Sequence, residues 1–102
     1  MILNAAQEVF FSKGVNNTTM EDIAQQAELA KGTLYLYFKT KEDLEYGICM
    51  KGTNMMMEHM QAVVKEEETG LENLLAVGWA FIGFSRNEPD FFNFIMMFQN
   101  VD

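Results

Sequence analysis

The chain has 102 residues, and its 15 acidic and 7 basic side chains give a formal net charge of −8. This length is sufficient for one small domain, or for one domain and part of a second. A hydrophobic content of 49% excludes an intrinsically disordered chain, and the single cysteine, Cys49, excludes a fold held together by internal disulfides.

Helical spacing of apolar residues recurs along the chain, whereas the alternation typical of strands is absent. The fold class is therefore predicted to be all-α. The first helix is expected over Ile2–Lys13. Thr19, with Asp22 in the capping-box position, predicts a short second helix over residues 20–27. A third short helix is expected over residues 30–38.

Three longer helices are predicted in the rest of the chain. The fourth is expected over residues 41–68, the fifth over residues 71–86, and the sixth over residues 90–100, directly after a turn whose Pro89 suits a first helical position. The fifth helix is expected to turn one apolar face inward. That face comprises Leu71, Leu74, Leu75, Gly78, Phe81 and Ile82.

The predicted sixth helix is apolar nearly all round, and such a helix needs partners on every side. Because the sequence stops at Asp102 before supplying them, we expect a fragment. Residues 1–44 would form a complete three-helix head, joined by the long fourth helix to a truncated helical bundle over residues 45–102. The side chains expected to remain exposed are Phe91, Phe92, Phe94, Met97 and Phe98.

The second and third helices are short and joined by a tight turn, which is typical of a helix-turn-helix whose second helix enters the major groove of DNA. Gly32 lets the backbone approach DNA closely, Lys31 can bind a phosphate or guanine, and Thr33 suits a phosphate or a thymine. The residues alone leave core packing open for the tyrosines and a solvated surface open for the lysines. Further candidate phosphate contacts are Tyr35, Tyr37 and Lys41.

Two motifs resemble the TetR family of bacterial transcriptional repressors: TTMEDIA at residues 18–24 and KGTLYLYFKTKEDL at residues 31–44. The resemblance extends without a gap over residues 2–44. It implies a head that binds double-stranded operator DNA and a helical body that binds a small apolar or aromatic effector. It also implies a homodimer formed through helices beyond residue 102, which leaves a palindromic operator when the effector binds.

By the same resemblance, Thr19 would touch a phosphate and Lys41 would bind the DNA backbone beside the recognition surface. That surface would comprise Lys31, Gly32, Thr33, Tyr35 and Tyr37.

Three positions depart from the family pattern. Glu28 occupies the turn position that usually holds glycine, at a cost of about 1 kcal/mol if the backbone there is left-handed. Ala30 replaces a frequent serine, which removes one helix cap. Leu36 replaces a frequent tyrosine.

Candidate walls of the effector pocket are His59, Trp79 and Phe98, each a polar group or a large aromatic side chain on a helix face expected to point inward. His59 and Cys49 are ten residues apart in the sequence, which fits neither a metal pair nor a nucleophile and its base. We therefore expect no enzyme, no metal and no cofactor.

A cytoplasmic protein is expected, because a single cysteine fits a reducing compartment. No membrane segment is expected, and no signal peptide is visible. The alternative function is a helical protein-interaction module that uses its Met- and Phe-rich surface.

Overall fold

The computed structural model describes the backbone of residues 1–99 and the side chains of residues 1–97. These residues form helices and connecting turns without strands, which confirms the all-α prediction. A short 3₁₀ turn over Val15–Asn17 separates the first two helices. The helices are α1 (Ile2–Lys13), α2 (Met20–Gln26), α3 (Lys31–Tyr37), α4 (Lys41–Gln61), α5 (Gly70–Asn87) and α6 (Pro89–Gln99).

The chain divides into two compact units, Met1–Ile48 and a second that begins at Cys49. In the first unit α1 packs on α2, and α2 packs on α3. In α1 the buried apolar residues recur three and four positions apart, whereas α2 buries Ile23 and Ala24 and α3 buries Leu34 alone. Buried side chains of this core include Ala6, Val9, Phe10, Ile23, Leu34, Leu44 and Ile48.

The predicted capping box at the start of α2 is present. The Asp22 N–H donates to the Thr19 hydroxyl at 3.1 Å, and the Thr19 N–H donates to the Asp22 carboxylate at 3.0 Å. The same carboxylate accepts a hydrogen bond from Lys13 Nζ at 3.0 Å. The Lys13 ammonium first, and then the Thr19 amide, hold the pKa of Asp22 below its ordinary value. Asp22 thus joins the start of α2 to the end of α1.

The turn between α2 and α3 places Glu28 in the left-handed region, with φ of 58°, which confirms the conformation considered for this position. The Leu29 N–H donates to the Ala24 carbonyl at 2.9 Å, and the Glu28 N–H donates to the Gln25 carbonyl at 3.1 Å. These two bonds form a Schellman motif, which ends α2 and redirects the chain into α3.

The prediction that the fourth helix continues to residue 68 is wrong, because α4 ends at Gln61. The N–H groups of Val63 and Val64 donate to carbonyls three residues earlier, which tightens the last turn. Beyond them, the Asn73 side chain forms two 2.9 Å hydrogen bonds with the backbone of Lys65. The acidic residues 66–68 would also lie unfavourably at a helix C-terminus.

The next helix begins with a capping box that the sequence analysis missed. The Glu72 N–H donates to the Thr69 hydroxyl at 3.1 Å, and the Thr69 N–H donates to the Glu72 carboxylate at 2.8 Å. These hydrogen bonds lower the pKa of Glu72. They fix the start of α5 at Gly70.

The predicted inward face of α5 is also wrong for most of its members. Ala80 and Phe84 are buried instead, and the Phe81 ring meets the Phe92 ring edge-on, with centroids 5.4 Å apart. Because α5 is apolar on two faces, its packing against α6 decides which of them is covered. The predicted inward residues left exposed are Leu71, Leu74, Leu75, Gly78 and Ile82.

Most of the α6 residues expected to be exposed are covered. Phe91 and Phe94 are buried and Phe92 is half-buried, whereas Met97 is exposed as expected. A Cβ atom added at Gly52 of α4 would lie 2.9 Å from Phe91 Cδ1, so α6 packs directly on this part of α4. The Phe98 side chain lies outside the described residues. No helix in the described part of the chain is long and apolar enough to cross a membrane.

Candidate nucleic-acid interface

The orientation of α3 is fixed by Leu34, whose side chain is fully buried. At 100° per residue, Gly32 and Leu36 lie nearly opposite Leu34 on the helix. Both are exposed, and Leu36 has 74% of its surface accessible. The centre of the exposed face of α3 is therefore a glycine followed one turn later by a leucine.

Four of the predicted recognition residues flank this centre. Lys31 is exposed and Tyr35 is half-buried on one side, whereas Thr33 is half-buried and Tyr37 is 70% exposed on the other. Of the five predicted α3 residues, Lys31, Gly32 and Tyr37 are thus exposed, whereas Thr33 and Tyr35 are half-buried on opposite sides of the helix. As the missing serine implies, the N-cap residue Ala30 makes no side-chain hydrogen bond to α3.

Thr33 and Tyr37 also line a surface groove of about 400 Å³. This groove runs between α3 and the first residues of α1. Both side chains consequently lie at the border of the exposed face rather than at its centre. The other lining residues are Met1, Ile2, Leu3, Leu29 and Phe38.

Leu36 is an exposed residue of this face that the sequence did not single out as a recognition residue. Helical spacing could have predicted its exposure, since Leu36 lies four residues after Gly32 and two residues after Leu34. An apolar side chain at the centre of a recognition helix is suited to contact a thymine methyl group in the major groove.

Thr19 is exposed at the N-terminus of α2. Its hydroxyl oxygen accepts a hydrogen bond from Asp22, but a hydroxyl that accepts one bond still has its own proton to donate. Thr19 can therefore cap α2 and donate to a phosphate at the same time.

Lys41 has a different environment from an ordinary surface lysine. The side chain is half-buried, and its Nζ donates to the carbonyl oxygens of Val15 at 2.9 Å and Thr18 at 3.2 Å. Two of its three N–H groups are directed into the protein.

In the second unit, both of the described pocket candidates are exposed. His59 is exposed, with Nε2 3.6 Å from the place a Cβ atom on Gly83 would occupy, and Trp79 is 71% exposed. The Phe98 side chain lies outside the described residues. An open groove of about 230 Å³ is lined instead by Met57, Met60, Gln61, Val64 and Val77.

No group of three or more His, Cys, Asp or Glu side chains within the described residues could hold a metal ion.

A short helix, a left-handed turn and a second short helix with an exposed face define a helix-turn-helix protein. Residues 2–44 match the family described as bacterial regulatory proteins, tetR family. The fatty acid metabolism regulator protein of Bacillus subtilis is 38% identical to this chain over 76 residues, which are 74% of this chain and 39% of that protein. The chain belongs to the tetR family of bacterial regulatory proteins.

Two further similarities agree with this assignment. The transcriptional regulator QacR of Staphylococcus aureus is 49% identical over 43 residues, or 42% of this chain and 23% of that protein. The crystal structure of a TetR-like transcriptional regulator from Rhodococcus sp. RHA1 superposes with a TM-score of 0.78 at 26% identity, over 92% of this chain and 51% of that one. The chain thus spans about half the length of this solved structure, and less of the two curated relatives.

Proposed function

We propose that this chain is the DNA-binding part of a transcriptional regulator, with α3 as the helix that enters the major groove. Residues 1–44 form the DNA-binding domain, and residues 45–102 begin the ligand-binding and dimerisation domain. The protein acts in the cytoplasm as a repressor that leaves a palindromic operator when a small effector binds.

The observation on which this proposal depends is the exposed face of α3. Gly32 at its centre allows a close approach of the backbone, and Leu36 offers an apolar contact to a thymine. Around them are donors for phosphate oxygens or base edges, as an operator-binding surface requires. These donors are Thr19, Lys31, Thr33, Tyr35 and Tyr37.

The effector is proposed to be small and predominantly apolar. The groove in the second unit offers two methionine and two valine side chains and a single amide, Gln61. Effector sites are typically apolar with a few polar groups that orient the ligand. The relative from Bacillus subtilis is named a regulator of fatty acid metabolism, which supports a ligand of this class. His59, Trp79 and Phe98 stay candidates for the remaining walls.

The regulator is proposed to bind its operator as a homodimer through helices beyond residue 102. Two heads on a palindromic site must lie about 34–36 Å apart, or one turn of DNA. A dimer interface would hold this distance, and an effector bound in the body would release the DNA by changing it.

The experiment that tests this function is selection of duplexes from a random-sequence pool by the full-length protein, followed by binding titrations at several salt concentrations. We expect a palindromic motif. Leu36→Ala should relax the preference at one thymine-containing position, because the apolar contact is lost at the centre of α3. Leu71→Ala is the matched control, since Leu71 is exposed to a similar extent but lies on α5.

Two results would contradict the proposal. One is the absence of a selected motif together with no binding at low salt, which would favour a protein-interaction module. The other is an identical motif for Leu36→Ala and the unsubstituted protein, which would show that α3 does not contact bases through this face.

A further inference from the structure

The connection between α1 and α2 is held by side-chain hydrogen bonds to its backbone carbonyls. The Thr18 hydroxyl donates to the Gly14 carbonyl at 2.7 Å, and the Asn17 amide donates to the Lys13 carbonyl at 3.1 Å. Both of these bonds are local. Lys41 adds bonds from a distant element: it donates to the Val15 carbonyl, which also accepts from the Thr18 N–H, and to the Thr18 carbonyl.

Lys41 is the first residue of α4, where a positive charge is unfavourable beside the helix dipole. Hydrogen bonds from an ammonium group to two carbonyls are stronger than neutral ones, and they offset that cost. One acceptor belongs to Thr18, which is 2% exposed, so the ammonium is bonded to a well-packed part of the chain. The residue after Thr18 is Thr19, the N-cap of α2.

We propose that Lys41 is a positioning residue rather than a phosphate contact. It ties the start of α4 to the segment before α2, and thereby sets the position of Thr19 and of the α2 N-terminus relative to α4. The effect on DNA binding rests on the proposed function. The stabilisation by the hydrogen bonds of Lys41 to Val15 and Thr18 does not depend on it.

The test compares three lysine variants of the full-length protein by melting temperature and by DNA titration against salt. Lys41→Met removes the ammonium but keeps the aliphatic stem. Lys39→Met is the control for stability, since Lys39 is exposed two residues earlier. Lys31→Met is the reference for the loss of a phosphate contact. It should reduce the magnitude of the slope of log K against log salt by about one.

For Lys41→Met we expect a melting temperature lower by roughly 5 °C or more, and no such change for Lys39→Met. Lys41→Arg should recover most of the loss, because a guanidinium group can also donate to both carbonyls. At a temperature where all variants are folded, Lys41→Met should weaken binding of the selected duplex roughly tenfold at every salt concentration. The slope of log K against log salt should change less in Lys41→Met than in Lys31→Met, by less than half as much.

Either of two results would overturn the proposal. If Lys41→Met lowers the salt slope as much as Lys31→Met, Lys41 binds a phosphate. If Lys41→Met melts at the same temperature as Lys39→Met, the hydrogen bonds of Lys41 do not stabilise the fold.

A second measurement does not need a variant that folds. In the unsubstituted protein, ¹⁵N spectra of the lysine side chains should show slower exchange of the Lys41 ammonium protons than of the Lys39 protons; equal exchange contradicts the tie. If the unsubstituted protein binds no duplex, the proposed function fails. The melting temperatures and the ammonium exchange then still decide whether Lys41 ties α4 to the segment before α2.

Discussion

Glu28 has a backbone φ of 58° at the turn between α2 and α3. It occupies the position after the C-cap of a Schellman motif, where glycine is preferred because a Cβ atom clashes with the backbone in this conformation. The helix-turn-helix therefore keeps a strained residue at the bend that orients its recognition helix.

Replacing this residue should stabilise the first unit. We expect Glu28→Gly to raise the free energy of unfolding by about 1 kcal/mol, since it removes the left-handed penalty. Urea denaturation measures the change. Glu21→Gly is the matched control on α2, and it should lower the free energy by about 1 kcal/mol because glycine is a poor helix former. A decrease in both variants would show that φ at Glu28 is not strained.

At the scale of the element, the start of α2 depends on the charge of Asp22. Its carboxylate accepts from Lys13 and from the Thr19 amide, and both bonds lower its pKa below the ordinary value of 3.8. In acid, the unfolded chain therefore takes up this proton before the folded chain does. The stabilisation by Asp22 is complete above the ordinary pKa and is lost as the pH falls through the lower, folded value.

The corresponding prediction compares Asp22→Asn with the unsubstituted protein at neutral pH and near pH 3. The variant should be less stable at neutral pH, and the difference in free energy of unfolding should shrink in acid. Glu21→Gln, which alters a neighbouring carboxylate outside the capping box, should show no comparable change. A difference for Asp22→Asn that is the same at both pH values would be inconsistent with this role.

Two helical glycines of the second unit should respond in opposite ways to alanine. At Gly52 a Cβ atom would lie 2.9 Å from Phe91 Cδ1 and 3.2 Å from Ile95 Cδ1, and both of these side chains are buried. At Gly78 of α5 a Cβ atom would meet nothing within 4 Å.

We expect Gly52→Ala to lower the free energy of unfolding by roughly 1–2 kcal/mol, because overpacking against α6 exceeds the gain in helix propensity. Gly78→Ala should raise it by about 1 kcal/mol, since only the propensity changes. Thermal or urea unfolding of the two variants provides the measurement. Stabilisation by Gly52→Ala would mean that α6 does not pack closely on α4.

At the scale of the whole molecule, α5 carries the largest set of exposed apolar side chains on a single helix within the described residues. These side chains recur at helical spacing, so they form one continuous stripe. Contiguous apolar surface of this kind drives association. The stripe comprises Leu71, Leu74, Leu75, Trp79 and Ile82, which are 41–71% exposed.

We therefore expect a polypeptide of residues 1–102 to self-associate with rising concentration in sedimentation experiments. A double variant, Leu75→Glu with Trp79→Glu, should remain monomeric because two charges interrupt the stripe. Met50→Glu, on an exposed part of α4, serves as the control and should associate as before. A monomeric unsubstituted polypeptide would show that the stripe is too small to bind a second copy.

The features that the sequence determined by itself are local. The Thr19 capping box and the short helices on either side of the Glu28 turn each depend on residues within a few positions of one another. Their chemistry is a property of short stretches of chain, in which hydrogen bonds and helical periodicity are sufficient to predict the structure.

Only the tertiary structure decided the covered face of α5, the end of α4 at Gln61 and the hydrogen bonds of Lys41. Periodicity could not choose between the two apolar faces of α5, because the choice depends on packing against α6. The loop after α4 depends on Asn73, and Lys41 depends on carbonyls of the α1–α2 connection. In each case the partner comes from a different element, so its free energy is gained only when the elements pack together.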